Sequence, residues 1–193
     1  MWYVIQVRTG MESDIETQCR KVIDNKILER SFIPCYKYKK KYHGEWHEEQ
    51  RPLFPGYVFL VTEDSNGLFH ALKDIIGLTR LLKNGDEIVP LMDDEIEFMK
   101  RFGREEQVVE ISEGIIENNQ VRITDGPLKG YEGLIRKIDR HKRKAWIEIW
   151  LCGRMQTVEV GLEITEKNKG EGLPELCDRE GCISERMQKS GAM

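Results

Sequence analysis

Apolar positions change their spacing along the chain, and each change predicts an element. WYVIQVR (Trp2–Arg8) is rich in β-branched and aromatic residues and is bounded by Gly10, which predicts a strand. Met11, Ile15, Cys19, Val22, Ile23, Ile27 and Leu28 then recur at helical spacing. Thr9-x-x-Glu12 and Ser13-x-x-Glu16 both fit a capping box, so a helix is expected to run to about Arg30. FIPCYKYKKKY (Phe32–Tyr42) alternates aromatic and basic residues; Gly44 breaks it and WHEEQR follows, which predicts a long hairpin. LFPGYVFLVTE (Leu53–Glu63) is a continuous apolar run of strand length, expected to be buried on both faces.

Residues 65–73 suit a short helix. Ile76–Leu82 and Glu87–Leu91 suit two short strands around Asn84-Gly85-Asp86. Asp93, Asp94 and Glu95 open a helix carrying Ile96, Phe98, Met99 and Phe102, with acidic groups at the end the helix dipole favours. The order β-α-β-β-β-α-β-α predicts an α+β sandwich over residues 1–103, its helices covering one face of the sheet. Residues 104–119 are acidic without clear period and read as a linker. From residue 120 to 167 the pattern is strand only, with turns every 8 to 12 residues, predicting a small antiparallel barrel. A unit of that size has a thin core and is marginal alone. Residues 168–193 hold few large apolar groups and read as a disordered tail.

Composition adds a constraint on partners. The 193 residues carry a net charge of −4, but the charge is uneven. Residues 1–103 hold 15 Lys and Arg against 17 Asp and Glu; residues 104–119 hold one against five; residues 120–167 hold ten against seven. Charges beyond about 8 Å hardly sense each other in physiological salt, so a polyanion would respond to the local positive patch. No apolar run approaches membrane-spanning length and the N-terminus has no signal-peptide pattern, so a cytoplasmic protein with no membrane partner is expected. Of five cysteines, Cys177 and Cys182 form a C-x4-C pair without companions; two reduced thiols fit better than a zinc site, and no metal or cofactor is expected.

DGPLKGYEG (residues 125–133) raises the question of a phosphate loop. It lacks the spacing of one: Gly130 follows Gly126 too early, and Tyr131 stands where the lysine belongs. Strand patterns flank it, so no helix N-terminus faces a phosphate. Turn chemistry is the better reading, with Asp125-Gly126-Pro127 reversing the chain. Metalloprotease, nucleophile-elbow and dinucleotide motifs are all missing, and no enzyme is expected.

VRITDGPLKGYEGLI, with Gly153-Arg154 downstream, resembles a KOW motif. WYVIQVRTG before a helix, followed by RPLFPGYVFL, resembles the N-terminal (NGN) domain of the NusG family of transcription elongation factors. TDGPLKG…RKIDRHKRKAWIEI…GRMQTVEVGLEI is similar to the specialised LoaP-type antiterminators. The resemblance implies a ferredoxin-like NGN domain, an SH3-like KOW barrel and a monomer. It implies binding to the clamp helices of RNA polymerase's large catalytic subunit, with Trp2, Tyr3, Phe54, Pro55 and Tyr57 at the motif positions. Ordinary core roles are the alternative for the four aromatics.

Lys39, Lys40 and Lys41 suit contact with the non-template DNA strand by charge and stacking, or, as the slightly better reading, a hairpin edge guarded against pairing. RKIDRHKRK contains Arg136, Lys137, Arg140, His141, Lys142, Arg143 and Lys144; it reads as a solvated hairpin tip or as a contact for an RNA hairpin, with Lys129 and Arg154 at its rim. Four phosphate contacts would give a log-log salt slope of roughly −3. Leu151-Cys152 stands where housekeeping relatives carry Ile-Phe for a ribosomal protein or a termination factor, which puts those partners in doubt. The expected function is processive antitermination of particular operons. The alternatives are a general NusG-like coupling factor and a ribosome-associated RNA-binding protein.

Overall fold

The computed structural model describes residues 1–81, 83–84, 87–88, 90–117 and 120–167. The expectations for residues 168–193, including Cys177 and Cys182, and for the Gly85-Asp86 turn lie outside the described residues.

Strands β1 (Trp2–Val7), β2 (Arg30–Phe32), β5 (Tyr57–Val61) and β6 (Leu78–Leu81) form a sheet in the order β2-β5-β1-β6. Its recorded pairs are antiparallel. All of β5 is buried, as its unbroken apolar run predicts, because both faces are covered. Tyr3, Ile5, Val58 and Leu60 face α1 (Glu12–Val22) and α2 (Ser65–Ala71), in one core with Ile15, Cys19 and Leu68. Trp2, Val4, Phe32 and Phe59 belong to a second core with Met99 and Phe102 of α3 (Asp93–Gly103). The helices therefore divide between the faces rather than covering one, because β1 is apolar at both its odd and its even positions.

Helix α1 stops eight residues before Arg30. The amide of Lys26 donates to the Asp24 carboxylate, and the amides of Ile27 and Leu28 donate to the Asp24 carbonyl. Asp24 thus offers the backbone a turn in place of another helical turn. Ile23 and Leu28 still enter the core, so the helical-looking spacing is met by a bent chain. Neither expected capping box closes through its hydroxyl: Met11 is the N-cap and makes no side-chain cap bond. The buried Glu12 carboxylate instead accepts from the amides of Gly10 and Gly56, tying the first loop to the FPGY turn.

Strands β3 (Cys35–Tyr42) and β4 (Glu45–Pro52) form the long hairpin in full register. Between the hairpin and α3 lie the two short strands β7 (Lys83–Asn84) and β8 (Glu87–Ile88), which pair with each other. Residues 104–119, expected to be a linker, carry two strands. β9 (Val108–Val109) joins β3 in parallel, and β10 (Ser112–Glu117) joins the second large sheet. Two inward positions of β10 are Ser112 and Gly114, small residues that give no apolar alternation to read.

That sheet has the order β11-β10-β14-β13-β12, with β11 (Gln120–Asp125), β12 (Ile135–Asp139), β13 (Lys144–Leu151) and β14 (Arg154–Lys167). It is not wholly antiparallel: β10 and β14 pair in parallel. Nor does its core stand alone. Ile123, Leu128, Ile147, Leu151 and Val160 are continuous with the core that holds Trp2, Phe54 and Phe102. β14 meets the hairpin so closely that a Cβ at Gly161 would lie 2.4 Å from the Lys37 carbonyl oxygen.

DGPLKGYEG is a chain of turns between β11 and β12. Lys129 donates to the Gly126 carbonyl, and Tyr131 to that of Leu128. Leu128 is fully buried and its amide donates to Ser112 Oγ. Gly126 has φ +95°, and a Cβ there would sit 2.6 Å from the Ser112 Cα. Gly130 has φ +84° with open space around it. Gly126→Ala is expected to cost about 3 kcal/mol, combining left-handed strain with the clash. Gly130→Ala is expected to cost about 1 kcal/mol, from conformation alone. Urea denaturation of both variants checks this, and equal losses would refute the role of the Ser112 contact.

Candidate nucleic-acid and partner interface

The four motif aromatics are all buried, and they do not share one patch. Trp2 meets Phe32 edge-on at 5.0 Å, with the Lys100 ammonium 5.8 Å from its ring centre. It lines an open groove with Leu91, Met92, Ile96 and Lys100. Tyr3 lies on the opposite face of the sheet, beneath α1. Phe54 packs on Phe59 at 5.8 Å, and the Tyr57 amide closes the FPGY turn on the Phe54 carbonyl. Pro55 is exposed. Tyr57 takes the Arg154 guanidinium on its hydroxyl, and Tyr131 stands edge-on to Phe98 at 5.5 Å. The second sheet and its turns therefore lie against the FPGY turn and α3.

The hairpin lysines serve different ends. Lys39 pairs with Glu163 at 2.9 Å, across to β14. Lys40 pairs with Glu49 of its own hairpin, and Lys41 reaches the Trp46 ring at 6.0 Å.

The basic run divides in the same way. Arg136 bonds Glu148 at 2.7 Å and the Gly133 carbonyl at 2.9 Å. Lys137 lies 5.1 Å from the Trp146 ring centre. Arg140, His141 and Lys142 are exposed at the turn between β12 and β13. The Lys142 amide donates to Asp139, which holds that carboxyl below its ordinary range. Arg143 and Lys144 turn inward: Arg143 pairs with Glu163 and covers the Trp46 ring at 3.8 Å. Lys144 pairs with Glu159 at 2.8 Å and sits 4.1 Å from the Tyr38 ring centre. Lys129 is exposed on its turn, and Arg154 is held at Tyr57.

Glu159 and Glu163 thus organise a seam between β14 and β3. Sequence reading missed both, because they occupy the polar positions of a strand recognised by its apolar ones. Glu159 also accepts from the Tyr36 hydroxyl at 2.9 Å. Burial, followed by this bond, pushes the Tyr36 phenol well above its ordinary value. At Glu159 burial pulls upward, but the Lys144 and Tyr36 bonds outweigh it and the carboxyl ends below its usual range. Leu151 is buried; the Cys152 thiol is pushed up to about 12 by burial and then by the Glu95 charge. Among the described residues no cluster of His, Cys, Asp and Glu is arranged to hold a metal ion, and no helix is long and apolar enough to cross a membrane.

Residues 1–100 match the family described as “Transcription termination factor nusG”, and residues 117–149 match the KOW motif. The chain is 28% identical over 178 residues to “Transcription termination/antitermination protein NusG” of Halalkalibacterium halodurans, covering 87% of this chain and 97% of that protein. It is 26% identical over 174 residues to the protein of the same name from Rickettsia typhi, covering 86% and 90%. A solved structure described as “Domain interaction in Thermotoga maritima NusG” has the same fold, with a TM-score of 0.57 at 21% identity over 84% of this chain and 93% of that one.

The seam predicts a pH dependence. The folded pKa of Glu159 is depressed, so its stabilising effect is present above the unfolded value of about 4.3 and is lost as pH falls through the folded one. Glu159→Gln is expected to lower stability at pH 7 and to flatten the acid-side loss. Denaturant midpoints from pH 7 down to 3 measure this, and parallel curves for variant and wild type would contradict it.

Proposed function

The chain belongs to the NusG family of transcription termination/antitermination factors, whose members are not enzymes, and from that premise we propose that it is a polymerase-bound antiterminator of the specialised LoaP type. Residues 1–103 ride RNA polymerase through its clamp helices. Residues 120–167 read an RNA hairpin and so load the factor on particular operons. The observation that carries this reading is the exposed turn Arg140–Lys142, which stands clear of the seam on the net-positive segment of the chain. Cys152 supports it. The place where an aromatic would serve a ribosomal or termination partner holds a small, half-buried thiol facing the Glu95 charge.

On the polymerase side, the open groove beside Trp2 is an accessible apolar feature, with Met92 half exposed on its wall. Apolar anchors in such a groove carry most of the affinity of a helix docking there. Lys40 and Lys41, on the free end of the hairpin, suit the non-template DNA strand. The second reading is a general factor coupling polymerase to a ribosomal protein or a termination factor; it is favoured by the general name shared by the curated relatives. RNA binding separates the two.

Met92→Glu is expected to weaken capture of core RNA polymerase by about tenfold while leaving the fold intact. Unchanged capture would remove the groove from the polymerase contact. With Arg143 and Lys144 held in the seam, about three phosphate contacts remain, and the log-log salt slope for a structured leader RNA should be about −2. Arg140→Ala combined with Lys142→Ala should weaken that binding and make the slope shallower. An unaltered gel shift would sink the RNA-reading role of the turn and favour the general factor.

A further inference from the structure

The seam takes one end of the outward face of β13 and β14, at Lys144 and Glu159, and leaves the other end open. The outward side chains of β13 are Lys144, which the seam takes, and Trp146, Glu148 and Trp150, since Ala145, Ile147, Ile149 and Leu151 point into the core. Trp150 is 52% exposed and stands opposite Met155, which is 55% exposed. Trp146 stands between Lys137 of β12 and Glu159 of β14 in register. Trp146 and Trp150 lie four residues apart on one strand, about 13 Å. Both carboxylates on this face are compensated, Glu148 by Arg136 at 2.7 Å and Glu159 by Lys144 at 2.8 Å. Lys137 and the exposed Arg140 and Lys142 of the adjoining turn leave the surroundings positive.

A protein partner would seek a larger apolar cluster depleted in charge at its centre. Here two indoles and one thioether are interleaved with paired and unpaired charges. Basic residues that track a backbone, beside aromatic faces that receive bases, form the pattern of single-strand recognition. We infer that the Trp146–Trp150 face, with Met155 at its edge, is a stacking platform for unpaired bases of RNA, with the basic turn that holds the phosphates at its Trp146 end and Trp150 several nucleotides further along the strand. This rests on the RNA-reading role proposed above and adds that the bound element includes a single-stranded segment, stacked on Trp150.

The test uses the full chain with two fluorescent probes, a short oligouridylate and a blunt RNA duplex without unpaired residues. Trp150→Ala is expected to weaken oligouridylate binding about tenfold and to leave duplex binding unchanged. Trp150→Phe should retain most of the affinity. The salt slope should not move with either variant, because no phosphate contact is lost. Trp150 is half exposed, and circular dichroism verifies that the variants fold. Unchanged oligouridylate affinity in Trp150→Ala, or equal weakening on both probes, overturns the platform. If that occurs while Arg140→Ala with Lys142→Ala still weakens binding, the RNA-reading role stands without it. A full chain that binds neither probe removes both. Loss of polymerase capture in Trp150→Ala with RNA affinity intact would assign the face to protein and also overturn the platform.

Discussion

Strand β14 holds the two halves of the molecule together. It pairs with β13 along one edge and β10 along the other, while Glu159 and Glu163 reach across to Tyr36 and Lys39 of the hairpin. The pairs along this seam are partly exposed, and exposed ion pairs contribute about 0 to 1 kcal/mol each. A fully buried aliphatic or aromatic side chain contributes about 1.5 to 3 kcal/mol. Leu128, Leu151 and Phe54 belong to one core spanning both sheets, so the apolar contact outweighs the charges as a source of cohesion. The carboxylates contribute register instead. Each accepts from two groups, and a shift of β14 along β3 would strand both.

This arrangement changes what the basic run means. A string of six Lys and Arg reads as one positive tip, but the seam takes two of them. Arg143 and Lys144 lie on Trp46 and Tyr38 and are neutralised by Glu163 and Glu159. Their partners come from residues 120–167 itself, so the net charge of that segment conceals how little of it is free. Position along the hairpin, not sign, decides which cations meet solvent.

The strands were the most legible part of the chain. The β1 and β5 runs, the hairpin around Gly44 and the acidic start of α3 all carry local signals of period, turn or dipole. The end of α1 was not legible, because Ile23, Ile27 and Leu28 serve the core equally from a helix or from the Asp24 turn. β10 was hidden because its inward positions are Ser112 and Gly114. The seam was the least accessible to reading: Tyr36 and Glu159 are 123 residues apart, and nothing local to either marks the other. The candidate site was therefore half visible. Its exposed turn follows from charge and turn chemistry, whereas the withdrawal of Arg143 and Lys144 follows only from tertiary contact.

That withdrawal also bears on how the remaining surface would hold a polyanion. At the turn, Asp139 sits 3.8 Å from Lys142 and offsets part of its charge, which leaves Arg140 as the principal uncompensated cation there. A field that small steers weakly and is screened within about 8 Å in physiological salt. Charge alone then makes a poor reader of one RNA among many, since phosphate contacts carry no sequence information. Discrimination has to come from groups that meet bases. The aromatic side chains outside the seam on this sheet lie on the strand leading away from the turn, with Trp150 the most open of them. Under the RNA-reading role proposed above, the seam that removes two cations from the basic run would shift recognition from its charges to the indole face that runs from the turn along β13.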